Sequence, residues 1–318
     1  MHTESLSVVV PVYNSKASLP ILVQRLSVLL PTVARQFEVI LVNDASTDGS
    51  HAVVDDAAQE YEWIVGIHLM RNFGQHNALL SGVRDAKFET IVTMDDDLQN
   101  PPEEIPRLLA KLAEGYDVVY GFPERESHGF WRNLASRITK LTLQTAMGVE
   151  VAGHVSSFRA FRSIVRSAFA EYSGAFVSVD VLLSWGTSRF AAIPVKNPPR
   201  TLGTSNYTVR KLIIHAINMV TGFSVMPLQV ASLLGFFFAI FGFCLLLYVL
   251  VRYIISGDTV VGFPFLASAL SIFSGVQLFS LGIIGEYLAR MHFRLLDKPI
   301  YTIRTSSRKA RYASSGSQ

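Results

Sequence analysis

The sequence predicts an α/β domain built on a mostly parallel sheet, followed by two C-terminal helices that cross a membrane. Three observations predict it. Short β-branched apolar runs alternate with helix-like stretches from Ser7 to Tyr120, polar residues gather directly after those runs, and two long uncharged segments follow Lys211.

The strand-like runs are Ser7–Val12, Phe37–Val42, Ile64–Leu69, Thr90–Met94 and Val118–Tyr120, each short and rich in Val and Ile. Between them lie helix-like stretches at Leu19–Leu30, Gly49–Tyr61, Gln75–Ala86 and Pro102–Gly115. The last opens on Pro101-Pro102 with Glu103 and Glu104 in its first turn, which suits a helix N-terminus. Strands that alternate with helices imply a parallel sheet covered on both faces. Open α/β sheets bind ligands beyond the carboxyl ends of their strands. Tyr13 and Asn14, Asp44, Arg71 and Asn72, and the triplet Asp95-Asp96-Asp97 follow the first four strands in turn.

Leu212–Val251 contains no Asp, Glu, Lys or Arg, and neither does Thr259–Gly285. A helix over Val225–Val251 would be roughly 40 Å long against a hydrocarbon core of about 30 Å. Arg252 and Asp258 between the runs would each cost about 2.5–3.5 kcal/mol at mid-bilayer, so the segments are two spans joined by a polar turn. The expected boundaries are a first span at 225–252, an external loop at 253–258 and a second span at 259–286. Arg210 and Lys211 precede the first span and Arg290, Arg294 and Lys298 follow the second, whereas the turn holds only Arg252. This bias places the domain of residues 1–206, the segment 287–318 and both termini in the cytoplasm, on a multi-pass protein of the cytoplasmic (inner) membrane. Residues 207–224 carry Val209, Leu212, Ile213, Ala216, Ile217 and Val220 at helical spacing, the pattern of an interfacial amphipathic helix lying against membrane lipid. Glu286 and Arg290, one helical turn apart, are expected to form an ion pair.

A net charge of +3 is too small to point to nucleic acid. Arg304, Arg308, Lys309 and Arg311 crowd the tail, expected to be a solvated, disordered end that also attracts anionic headgroups. The single cysteine, Cys244, sits inside the first span, which excludes a disulfide framework and a cysteine metal site. The N-terminus has no secretory signal pattern.

Three consecutive carboxylates after an apolar strand repel one another without a cation. Mg²⁺ takes one or two carboxylates plus substrate phosphate oxygens, so the triplet suits a metal-bound diphosphate; the alternative is an acidic turn before Pro101. Asp44 alone could be a turn residue, and Asp48-Gly49 reads as a turn. No G-x-x-x-x-G-K-[ST] is present and no G-x-G-x-x-G follows the first strand, which disfavours a P-loop ATPase or a nicotinamide enzyme.

Val10-Pro-Val-Tyr-Asn14, Val42-Asn-Asp-Ala-Ser-Thr-Asp-Gly49, Arg71-Asn-Phe-Gly-Gln-His76 and Asp95-Asp-Asp-Leu-Gln-Asn-Pro-Pro-Glu103 resemble the family 2 glycosyltransferases. The likeness is to the polyprenyl-phosphate branch, and the ending Gly-Glu-Tyr-Leu-Ala-Arg290 extends it nearly end to end. The resemblance implies a GT-A catalytic domain and inverting transfer from a nucleotide sugar to polyprenyl phosphate, for cell-envelope glycosylation. It favours UDP donors, glucose first, with Mg²⁺ or Mn²⁺. By this analogy Pro11, Tyr13, Asp44, Asp95 and Asp96 hold the donor, Asp95 and Asp97 are catalytic, and Asp97 and Gln99 hold the metal. Arg200 and Ser205, in a basic segment before the membrane, fall near the diphosphate. The sequence departs from the family pattern at three places: Asp96 where Ala is usual, Ser15 where Glu often follows Asn, and Ser157 where several relatives carry Asp in Gly-Asp-Phe-Arg.

A missing acid at Ser157 is compatible with transfer, because a phosphate monoester with a second pKa of about 6 is largely dianionic at neutral pH and can attack without a general base. The site then has to align that oxygen with the anomeric carbon and stabilise the leaving diphosphate. Arg125, Arg132, Arg137 and Arg159 are the candidates for the lipid phosphate, with a solvated surface charge the open alternative for each. A processive polysaccharide synthase would carry Gln-x-x-Arg-Trp, which is absent here. A non-catalytic membrane scaffold or lipid-binding partner would not need Asp44, Asp95, Asp97 and Gln99. Homo-oligomers are left open.

Overall fold

The computed structural model describes residues 3–123, 153–174, 177–198, 226–256, 262–296 and 298–308. The expected interfacial helix at 207–224, together with Arg125, Arg132, Arg137, Arg200, Ser205 and the tail from 309 onward, lies outside the described residues. The chain divides into two units. One comprises Met1–Ile213 with Lys298–Gln318, and the other is Ile214–Asp297.

The first unit is built on an eight-stranded sheet: β1 (Thr3–Val12), β2 (Ala34–Asn43), β3 (Ile64–Leu69), β4 (Thr90–Thr93), β5 (Val118–Pro123), β6 (Arg159–Arg162), β7 (Phe190–Val195) and β8 (Ile303–Ser306). Their spatial order is β7-β5-β6-β4-β1-β2-β3-β8. β1 pairs in parallel with β2 and β4, β2 with β3, and β5 with β7. β6 and β8 run antiparallel to their neighbours. The five expected strands are all present, and the sheet is mixed but mostly parallel.

Helices α1 (Leu19–Val33), α2 (Ser50–Glu60), α3 (Gln75–Asp85), α4 (Ile105–Ala113) and α5 (Val179–Gly186) belong to this unit, with 3₁₀ turns at Pro102–Glu104 and Ser163–Phe169. Alternation sorts the strand residues onto two faces. Val8, Val10 and Val12 of β1 and Val39 and Leu41 of β2 share one cluster with Leu22 and Leu26 of α1, Val54 of α2 and Leu108 of α4. Val9, Ile40 and Val42 face α3 instead. Gly82 permits that approach, because a Cβ there would lie 2.4 Å from Val9 Cγ1 and 3.0 Å from Val42 Cγ2. Each fully buried Val or Leu contributes about 1.5–3 kcal/mol, so these two layers hold the sheet rigid beneath its carboxyl edge.

Residues 298–308, with Arg304 and Arg308, are not part of the disordered end that the charge suggests. β8 adds to the exposed edge of β3, with Ile67 opposite Ser306 and Leu69 opposite Ile303. Met70 N donates to Thr302 O at 2.9 Å and Gly66 N donates to Ser307 Oγ at 3.0 Å. Arg308 Nη2 donates to Glu38 Oε2 at 2.6 Å. Glu38 is 2% exposed, and its Oε1 also accepts from Ser7 Oγ at 2.6 Å and Lys87 N at 2.9 Å. An unsatisfied main-chain edge and a buried carboxylate both need partners, and the tail supplies them. The domain expected at 1–206 is therefore discontinuous, because residues 298–308 are part of its sheet.

The second unit contains α6 (Met226–Ser256) and α7 (Phe263–Leu295). Both are long and apolar enough to cross a membrane, over Pro227–Cys244 and Ile272–His292. Residues 253–256, expected in the external loop, continue α6; Ile254 and Ile255 are exposed there, as suits a lipid-facing helix end. α7 runs beyond the expected limit at Glu286, and Arg290 Nη2 reaches Glu286 Oε1 at 2.7 Å, the pair expected from their spacing. Phe238 and Phe273 meet edge to face between the two helices, with ring centroids 5.8 Å apart.

Candidate active site

β1 is flanked by the parallel strands β2 and β4, and the chain leaves their carboxyl ends for helices α1 and α2 and for the loop toward α4. This reversal of strand order opens a crevice at the carboxyl edge. Among the described residues, the three non-glycine positions with positive φ all lie on that edge: Asn14 (φ 54°) after β1, Ala45 (φ 53°) after β2 and Leu98 (φ 62°) after β4. Asn tolerates this region, but Ala and Leu do so only where the surroundings enforce it. The bonds that fix the turns at Asn14 and Ala45 are visible. Asn14 N donates to Ser46 Oγ at 3.0 Å, and Thr47 N donates to Asn14 Oδ1 at 2.8 Å. Ser46 N donates to Asn43 Oδ1 at 3.1 Å. Asp48 accepts from Lys16 N and Ser50 N, each at 2.9 Å, and is the turn residue its sequence context indicates.

Pro11 is buried near the end of β1, and Tyr13 follows it at 44% exposure. Tyr13 N donates to Asp96 Oδ2 at 3.2 Å. Burial pushes the Asp96 carboxyl up to about 6, assisted by the charges of Asp95 and Asp97 and opposed by hydrogen bonds from Ser15 and Tyr13. Two departures from the family pattern, Ser15 and Asp96, are thus in contact with each other.

Asp95 is held from two sides. Gln75 Nε2, at the start of α3, donates to Oδ1 at 2.6 Å, and Ser157 Oγ donates to Oδ2 at 2.5 Å. Asp97 Oδ1 accepts from Gln99 N at 3.0 Å. Among the described residues no three His, Cys, Asp or Glu side chains converge as a ready-made metal centre. A divalent hard cation does not need one, since one or two carboxylates with water and diphosphate oxygens complete its shell. The carboxylates of Asp95 and Asp97 fit that requirement, while Asp96 is engaged with Tyr13 and Ser15.

Asp44 is 3% exposed, and both its oxygens accept main-chain N–H groups, from Phe73 at 2.7 Å and Gly74 at 2.8 Å. Burial raises its carboxyl above the usual range against these two bonds. These two bonds hang the Arg71–Gly74 loop at the edge of the crevice. Gly74 takes φ 93° there, a conformation only glycine adopts freely.

Arg159 differs from its expected role at the lipid phosphate. Its side chain is 1% exposed and is committed to Asp180 and to Thr93 Oγ1, the latter at 2.9 Å. A guanidinium enclosed by a carboxylate and a hydroxyl is not available to an incoming headgroup. The edge therefore brings together Pro11, Tyr13, Asp44, Asp95, Asp96, Asp97 and Gln99, and leaves Arg159 beneath them. Gln75 and Ser157 complete the setting of Asp95 and were not assigned to it from the sequence. Gln75 sits at the first position of a helix that follows a strand's carboxyl end, a placement that could have flagged it.

The family model described as glycosyl transferase family 2 matches residues 7–171. An undecaprenyl-phosphate 4-deoxy-4-formamido-L-arabinose transferase from Aeromonas hydrophila subsp. hydrophila is 36% identical over 307 residues, covering 96% of this chain and 94% of that protein. Its counterpart from Pseudomonas paraeruginosa is 35% identical over 307 residues, covering 96% and 91%. Among solved structures, glucosyl-3-phosphoglycerate synthase from Mycobacterium tuberculosis in complex with uridine diphosphate superposes with a TM-score of 0.49 at 18% identity, covering 69% of this chain and 78% of that one.

Proposed function

This chain belongs to glycosyl transferase family 2 and has its GT-A fold, and on that footing we propose that it transfers a sugar from a UDP-linked donor to a polyprenyl phosphate. The observation that carries the proposal is the contact of Tyr13 with Asp96, in the middle of the triplet Asp95–Asp97, at the β1/β4 crevice, in a chain that continues into two membrane-length helices. The relatives' names support the acceptor class, since the likeness spans 96% of the chain, both apolar helices included. They carry a formamido-arabinose, whereas the motifs alone favour glucose, so a donor panel has to include both sugars.

In the proposed reaction a phosphate oxygen of the lipid attacks the anomeric carbon from the side opposite the leaving group. A new C–O bond forms and the bond to the nucleoside diphosphate breaks, its electron pair leaving with the diphosphate. Configuration inverts. No proton needs to be removed from a dianionic phosphate, so Ser157 in place of an acid is no obstacle. Asp97 and Gln99, with Asp95 beside them, would hold Mg²⁺ or Mn²⁺, which when bound neutralises charge on the departing diphosphate. Pro11, Tyr13 and Asp44, with Asp95 and Asp96, would hold the nucleotide sugar, and Asp44 also shapes the loop beside it. Arg125, Arg132, Arg137, Arg200 and Ser205 are proposed for the phosphates of the two substrates, on sequence grounds.

We place the sheet domain and both termini at the cytoplasmic face. The arginine and lysine bias across the hairpin supports this. The strand pairing supports entry and exit of the hairpin on one side, because the chain leaves the sheet domain before α6 and rejoins the same sheet at β8 after α7. Replacing Asp97 by Ala should abolish transfer in purified membranes supplied with donor and lipid phosphate. Undiminished transfer would remove Asp97 from the site.

A further inference from the structure

The buried ion pair of Arg159 and Asp180 is connected to the edge of the crevice by a continuous series of hydrogen bonds. Arg159 Nη1 donates to Asp180 Oδ1. Its Nε donates to Thr93 Oγ1 at 2.9 Å, and Thr93 Oγ1 donates to Ser157 O at 2.7 Å. Ser157 Oγ then donates to Asp95 Oδ2 at 2.5 Å, while Gln75 Nε2 closes on Oδ1.

The direction of each bond is forced. A guanidinium has donors only, so the Thr93 oxygen must accept from it and send its single proton onward to the Ser157 carbonyl. An ionised Asp95 accepts only, so the Ser157 hydroxyl must donate to it. Strand pairing holds these groups in register, because β6 runs antiparallel to β4 with Arg159 opposite Thr93. Thr93 and Arg159 are both buried, so the series cannot drift toward solvent.

We propose that Arg159, Thr93 and Ser157 are positioning residues that fix the Asp95 carboxylate for the nucleotide sugar, with Gln75 as the opposing clamp. The proposal rests on the glycosyl-transfer reading for the identity of the ligand. It moves Arg159 from the acceptor side of the reaction to the donor side. It also gives Ser157 a task in its own right. Its hydroxyl orients the neighbouring carboxylate by donating a proton, which a deprotonated acid at the same place could not do.

The test uses the full-length protein in detergent. Ser157→Ala removes the last bond, Thr93→Val removes the middle one while keeping the branched strand shape, and Arg159→Lys keeps a positive charge beside Asp180. Binding of uridine diphosphate in the presence of Mn²⁺ is measured by calorimetry. KM is measured separately for the nucleotide sugar and for undecaprenyl phosphate. Outer partners of ligating groups typically change affinity about 10–100-fold, and a weakening of that order is expected for nucleotide binding and donor KM in Ser157→Ala and Thr93→Val. KM for undecaprenyl phosphate should stay within about twofold of wild type, scatter well below that range. Arg159→Lys should show the same donor-side defect.

Wild-type nucleotide binding in Ser157→Ala overturns the proposal, as does a defect confined to the lipid-phosphate KM in Arg159→Lys. If either buried-site variant fails to fold, Ser157→Ala alone decides, since Ser157 is only half-buried. Should the wild-type protein transfer no sugar to undecaprenyl phosphate while Ser157→Ala still loses nucleotide binding, the acceptor assignment fails and the positioning role stands.

Discussion

Asp96 stands between two acids and against two hydrogen-bond donors, and the balance of those effects sets its behaviour. Desolvation is the largest influence and raises its carboxyl; the bonds from Ser15 and Tyr13 lower it by less, and the outcome is about 6. An unfolded aspartate titrates near 4, so between about pH 4 and pH 6 the unfolded chain releases a proton that the folded chain retains. Stability contributed by the protonated form is present below that window and is lost as pH rises through it. In metal-free protein kept in EDTA, the melting temperature should therefore fall as pH rises from about 4 to 6. Asp96→Asn keeps an oxygen for Tyr13 N but cannot ionise, and should flatten that fall. A wild-type pH profile in the Asn variant would show that another group titrates there. Asp44 is also raised by burial, but it gains two main-chain bonds, so its carboxylate serves the architecture of the loop from Phe73 to Gly74.

At the scale of elements, β8 is the part of the fold with the clearest mechanical consequence. Arg308 meets Glu38, which is 2% exposed and lies 270 positions earlier in the chain. Removing one partner of a buried pair leaves the other charge uncompensated, at a cost of about 3–5 kcal/mol. Arg308→Ala should destabilise the sheet domain by about 3 kcal/mol, toward the low end because Arg308 keeps some exposure. Adding Glu38→Gln should recover part of the loss. Chemical denaturation that gives the single and double variants equal stability would contradict this.

The first five strands and four helices were legible because apolar β-branched runs alternate with helix-like stretches and the turns between them carry Gly, Asn and Asp. β6 and β8 were not. Arg-Ala-Phe-Arg162 and Ile-Arg-Thr-Ser306 are too short and too polar to announce strands, and each is stabilised by pairing with a distant partner that no local pattern records. Phe190–Val195 contains Pro194, which masks an edge strand in the same way. The placement of the acidic triplet at a strand's carboxyl end was legible, whereas the buried fate of Arg159 was not, because it depends on Asp180 and Thr93 arriving from other elements.

The whole molecule is a glycosyltransferase domain interrupted by two helices long and apolar enough to cross a membrane. The sheet takes up chain from before α6 and after α7, so the two helices are an insertion into the domain as much as an anchor after it. This arrangement keeps the proposed nucleotide-sugar site and two membrane-length helices on one chain, as the proposed transfer to a lipid phosphate demands. The most direct test incubates the detergent-solubilised full-length protein and Mn²⁺ with a panel of radiolabelled nucleotide sugars, including UDP-glucose and a UDP-linked 4-formamido-arabinose. Undecaprenyl phosphate is present or withheld. Label should enter the organic phase with one donor, only when the lipid phosphate is present, and not with Asp97→Ala. Label that stays in the aqueous phase with every donor, or that enters the organic phase equally with Asp97→Ala, would contradict it.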